Sequence, residues 1–156
     1  TAAESSAGAS WFQNTAPTNS VISVGTVSDV NANGNDFIAY CWAPVNGFSA
    51  FGVMEGNGSA DGPFCQCGFR PAVVIMKNID ATYDWQIHDT ARDPHNEATK
   101  RLRLSTNAVE TDPSGVKDIL SNGFKMRTGG VGANANANTY IWACWAEHPF
   151  KTARAR

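Results

Sequence analysis

Asn134-Ala-Asn-Ala-Asn-Thr-Tyr-Ile-Trp-Ala-Cys-Trp-Ala146 decides the reading of this chain. A polar, Asn-rich turn runs into aromatic, β-branched and small apolar residues, the composition of a strand. The stretch has an earlier copy, Asn31-Ala-Asn-Gly-Asn-Asp-Phe-Ile-Ala-Tyr-Cys-Trp-Ala43, at an offset of 103 residues with no gap and 8 of 13 positions identical. The same offset pairs Asn19 with Asn122. A repeat of that size is a duplicated module, not a solenoid of short units. Only the second half of the first copy falls within the sequence, so its beginning is expected upstream of Thr1. The expected organisation is residues 1–45 as the C-terminal half of a first β-module, 46–150 as a complete second one, and 151–156 as a basic tail. Cys41 and Cys144 are then expected at equivalent, buried positions on equivalent strands.

Further strand signals surround the repeat. Ser20–Val24, Trp85–Asp89, Arg101–Leu104 and Phe124–Arg127 alternate, and Phe37–Trp42 is aromatic-rich. Ala72–Lys77 is a continuous apolar run, the pattern of a strand buried on both faces. Between them lie turn clusters at Gly56–Pro63, Asp93-Pro94, Asp112–Gly115, Asn122-Gly123 and Thr128–Gly130. No stretch of twelve residues carries a 3.6-residue apolar period. The fold expected is all-β, an antiparallel β-sandwich of jelly-roll-like form.

Composition narrows the function classes. In 156 residues, 42% are hydrophobic and 17% charged, with a net charge of −2, enough apolar content for a core. Removing the tail cations Lys151, Arg154 and Arg156 leaves nine basic against fourteen acidic groups, so no nucleic-acid partner is expected. No apolar run reaches the ~20 residues of a membrane helix, and Thr1-Ala-Ala-Glu4 does not read as a signal peptide. The four cysteines, Cys41, Cys65, Cys67 and Cys144, lack metal-knuckle spacing. They read as buried thiols of a protein made in a reducing cytosol, with one disulfide as the alternative and a metal site a remoter one, and with Cys65 and Cys67 on one strand face.

Candidate chemistry is sparse. His88 and His95 flank Asp89, Arg92 and Asp93, but no metal-ligand spacing appears, and surface or packing roles are the plainer reading. Trp85 with Asp89 and Arg92 could form a shelf for a surface glycan, against the plainer reading of a strand with a polar rim. Gly56–Gly62 lacks the Gly-Lys-Ser/Thr ending of a phosphate loop. Asn57-Gly58-Ser59 is a glycosylation sequon that matters only on secretion. Asp61, Asp80 and Asp84 lack the spacing of a calcium loop. For a glycan depolymerase the sole carboxylate pair to nominate is Asp84 with Asp89. No catalytic residue, metal or cofactor is expected.

An ordered string of motifs carries a resemblance. It runs Tyr40-Cys-Trp-Ala43, Gly47-Phe-Ser49, Phe51-Gly52, Gly56-Asn-Gly-Ser59, Asp61-Gly-Pro-Phe64 and Gly68-Phe-Arg-Pro-Ala72. It continues through Trp85, Asp89-Thr90, Arg92, Asn96, Leu120–Lys125, Asn138–Ile141, Ala146-Glu147 and Pro149–Lys151. Over about residues 35–154 the chain resembles the C-terminal region of tailed-bacteriophage virion proteins, often found behind a concanavalin- or laminin-G-like jelly roll and loosely called tail-fibre or structural proteins. His88, His95 and Cys65-Gln66-Cys67 depart from that pattern. The resemblance implies a non-enzymatic virion component whose partners are other virion proteins and copies of itself, a trimer among the options. The leading expectation is a tail-fibre or spike module that contacts the host surface. A head-decoration protein clamping the capsid is the alternative, and a carbohydrate-binding module a further one. Composition, repeat and spacing do not by themselves choose among these.

Overall fold

The computed structural model describes residues 11–111 and 116–150. The Asp112–Gly115 turn and the 151–156 tail lie outside these. The described residues divide into two compact units, meeting at the Trp42/Ala43 boundary.

The larger unit, from Ala43 onward, is a sandwich of two antiparallel sheets. Its strands are β1 (Ser49–Glu55), β2 (Phe64–Gln66), β3 (Pro71–Asn78), β4 (Gln86–Asp89), β5 (Leu102–Arg103), β6 (Lys117–Leu120), β7 (Gly123–Met126) and β8 (Thr139–Ala146). One sheet has the order β1-β8-β3-β4-β5 and the other β2-β7-β6. The all-β expectation therefore holds, and Ala72–Lys77, Trp85–Asp89, Phe124–Arg127 and Thr139–Trp145 each fall on a strand.

Strand alternation builds the core. Val74 and Met76 of β3 and Tyr140, Trp142 and Cys144 of β8 face inward and are buried. The small sheet answers with Cys65, Ile119, Phe124 and Met126. Phe124 meets Trp142 edge to face, ring centroids 5.5 Å apart, a favoured aromatic geometry. Loops are latched by buried amides. Asn134 accepts from the Asn57 backbone N–H (2.9 Å) and donates to Asn57 Oδ1 and the Ser59 carbonyl (both 2.8 Å). That closes the Gly56–Pro63 turn against the Asn-rich segment.

The smaller unit, described from Trp11 to Trp42, holds a short helix α1 (Ser28–Asn31) and no strand among its described residues. This corrects the strand expectations at Ser20–Val24 and Phe37–Trp42. Cys41 is exposed whereas Cys144 is fully buried, so the repeated segments do not occupy equivalent environments. The physical reason is pairing. The β8 copy is flanked on both edges by β1 and β3, whereas residues 37–41 enter no ladder among the described residues. Without ladder partners, a strand-like sequence stays extended and open. Ile38 and Tyr40 are accordingly 81% and 75% exposed.

Candidate interaction face

The two faces of the five-stranded sheet differ in what covers them. The inner face packs on β2-β7-β6. On the outer face no strand of the same unit lies among the described residues. In an antiparallel sheet such a face is commonly polar. Here the register carries one apolar row across all five strands: Phe51, Ala143, Ile75, Ile87 and Leu102 stand opposite one another in turn. At the usual strand spacing that row spans roughly 19 Å. Val53 beside Ile141, and Trp145 beside Val73, widen it. Val53 is 67% exposed and Leu104, just past β5, 53%. Phe51 and Trp145 pack edge to face with centroids 5.8 Å apart, which fixes the relief of that end.

The nominated glycan residues sit at one border of this face. Trp85 precedes β4 and is partly exposed; Asp89 ends the strand, four residues and roughly 13 Å further along it. Asp89 and Arg92 are brought together, Nε donating to Oδ2 at 2.5 Å, and Arg92 also binds Glu110, which sequence reasoning missed. Burial alone would raise the Asp89 pKa, but the backbone and side-chain hydrogen bonds from Arg92 outweigh it and hold the carboxyl low. A guanidinium shared by two carboxylates is engaged within the protein, so Trp85 stands apart from the polar pair. No motif signals Glu110, because it reaches Arg92 across 18 residues of sequence.

The histidines separate likewise. His88 faces inward while Asp89 faces out, and His95 is exposed. Asp93 is spent on the backbone, accepting from the N–H groups of Thr99 (2.6 Å) and Lys100 (3.0 Å). Asp84 accepts from the Ser105 hydroxyl at 3.1 Å and pairs with Arg103. Five residues of extended chain put roughly 16 Å between Asp84 and Asp89, beyond the spacing of a glycosidase pair. Asp61 pairs with Lys125 and Asp80 accepts from the Thr139 N–H, so the three acids considered for calcium are distributed. Among the described residues no group of three metal-ligating side chains converges.

One concavity of about 350 Å³ is lined by Asn46, Gly47, Gly68, Phe69, His148 and Phe150, from the segments that flank β1, β3 and β8. It contains none of the nominated side chains and a single titratable group.

A family model described as a domain of unknown function, DUF7483, matches residues 1–149. The chain belongs to the DUF7483 family. No curated protein matches the sequence, and no solved structure does. The DUF7483 match spans both structural units, so the exposed 36–42 segment is part of what the family model describes.

Proposed function

We propose that this DUF7483 chain is a non-enzymatic structural module of a tailed-phage virion, assembled on the particle exterior as a tail-fibre or spike component. The apolar row across the outer face of the five-stranded sheet carries this reading. Its five side chains are each half-buried and are continued by the exposed Val53 and Leu104, and contiguous apolar surface of this kind marks contact with another macromolecule. Its proposed occupant is a further copy of the same chain, in keeping with the homo-oligomers implied by the resemblance over residues 35–154. Trp85, partly exposed at the border of the face, is the residue proposed for host-glycan contact.

The test is to locate the chain on the particle by cryo-EM reconstruction, with a gold-labelled antibody against residues 43–150. Density at the tail or fibres is the expected result. Density over the icosahedral shell would overturn the tail placement and make it a head-decoration protein. Absence from purified particles would overturn the virion reading altogether.

A further inference from the structure

Cys67 and Cys144 belong to different sheets and are brought together by the fold. Cys67 directly follows β2, whereas Cys144 lies on the inner face of β8, 77 residues further along the chain. Their sulfurs are 3.0 Å apart, about 1 Å beyond the S–S bond length of roughly 2.05 Å. Both sides of the contact are framed. The N–H groups of Cys67 and Gly68 donate to the Asn122 carbonyl at 2.9 and 3.0 Å, which ties this corner to the β6–β7 turn. Cys144 sits between Ala50 of β1 and Val74 of β3 in the middle of the large sheet. These backbone hydrogen bonds hold the Cα positions of both residues, so the pair is set by the fold and not by a mobile loop.

We propose that Cys67 and Cys144 are an oxidisable pair that closes into a disulfide bridging the two sheets when the protein meets a small-molecule disulfide outside a reducing compartment. The two thiols are unequal in a useful sense. Cys144 is fully buried, and its S–H donates to the sulfur of Cys67, a residue that is only half-buried. That hydrogen bond favours the Cys67 thiolate over its neighbour's. Cys67 thiolate attacks one sulfur of the small disulfide, forms a mixed disulfide and expels one thiolate. Cys144 gives its proton to the expelled thiolate, attacks the Cys67 sulfur and expels the second thiolate. The two cysteine sulfurs are oxidised by two electrons in all, and the small disulfide is reduced to one thiol and one thiolate, the thiolate taking up the proton that Cys67 released on ionising. The other cysteines are poor competitors: burial pushes the Cys65 thiol up to about 12, and Cys41 lies in the other unit. The chemistry is the same whether or not the chain is a virion component.

The full chain carrying Cys41→Ser, which removes the exposed thiol, is equilibrated with glutathione disulfide. Remaining thiols are then alkylated in denaturant without reductant and the peptides mapped by mass spectrometry. The expected product is one cross-linked peptide pair joining Cys67 to Cys144, with the mass of two hydrogens lost and Cys65 alkylated. The oxidised form should melt higher than the reduced form by on the order of 10 °C. Adding Cys67→Ser should abolish that redox dependence, a comparison that does not require the buried Cys144 to be replaced. Three alkylated cysteines, or a bridge joining Cys65 to Cys67, would overturn the proposal.

Discussion

Lys117 sets the electrostatics of the core at the scale of single residues. Its side chain is fully buried between the sheets, Nζ lying 3.0 Å from His88 Nδ1 and 3.2 Å from Met76 Sδ. No carboxylate is among these neighbours. Nζ and Nδ1 share one hydrogen bond, and His88 Nε2 has no hydrogen-bond partner. Burial lowers the lysine pKa to about 7 and, with the nearby Lys117, holds His88 well below its ordinary value. The consequence for stability has a definite sign. Between pH 7 and the ordinary lysine value the unfolded chain holds a proton that the folded chain lacks, so stability rises with pH in that range and is lost as pH falls through 7. His88 adds to the loss below about pH 6.5. Above about pH 9 the trend is opposed by Cys65, whose folded thiol keeps a proton that the unfolded one releases. Urea unfolding should therefore show a gain of about 2 kcal/mol from pH 7 to 9. Lys117→Met should flatten that slope and stabilise the protein at pH 7; an unchanged slope in the variant would contradict the assignment.

At the scale of elements, the latch between Asn134 and the Gly56–Pro63 turn is the feature most exposed to a single change. Asn134→Ala removes three side-chain hydrogen bonds and leaves the Asn57 backbone N–H unsatisfied. Unfolding free energy should fall by about 2–3 kcal/mol. Faster amide exchange should appear at Asn57 and Ser59 first, and an unaltered exchange pattern would contradict the latch. The turn was legible in the sequence as a cluster of Gly, Asn and Pro, but its partner 77 residues away was not. Strands divide the same way. β3, β4, β7 and β8 are legible because their inward positions are apolar or alternate cleanly. β1 is hidden by Gly52, which breaks the pattern because it stands opposite Trp142: a Cβ there would meet Trp142 Cζ2 at 2.4 Å. β6 is hidden by Lys117, an inward lysine that reads as an outward one. β2 is only three residues long. In the other direction, Phe37–Trp42 reads as a strand and is not one, because propensity cannot report whether partner strands are present. Of the candidate site, sequence places Asp89 and Arg92 together, but Glu110 and the five-strand apolar row depend on register, which only pairing reveals.

For the whole molecule, the account rests on a surface and not on a pocket. The inner face of the large sheet is closed by the small sheet, while the outer row from Phe51 to Leu102 has no strand of its own unit against it. Asp84 and Asp89, the pair nominated for a catalytic reading, are each engaged within the fold. In the proposed reading the module binds along this sheet, and its partner is another copy. Sedimentation equilibrium of the purified full chain, beside a variant carrying Val53→Glu and Ile87→Lys, tests this most directly. Both changes lie on the outer face, away from the core, so far-UV circular dichroism should be unaltered in the variant. The account predicts a defined oligomer for the unaltered chain and a monomer for the variant at the same concentration. A monomeric unaltered chain, or a variant that keeps the oligomer's mass, would contradict it.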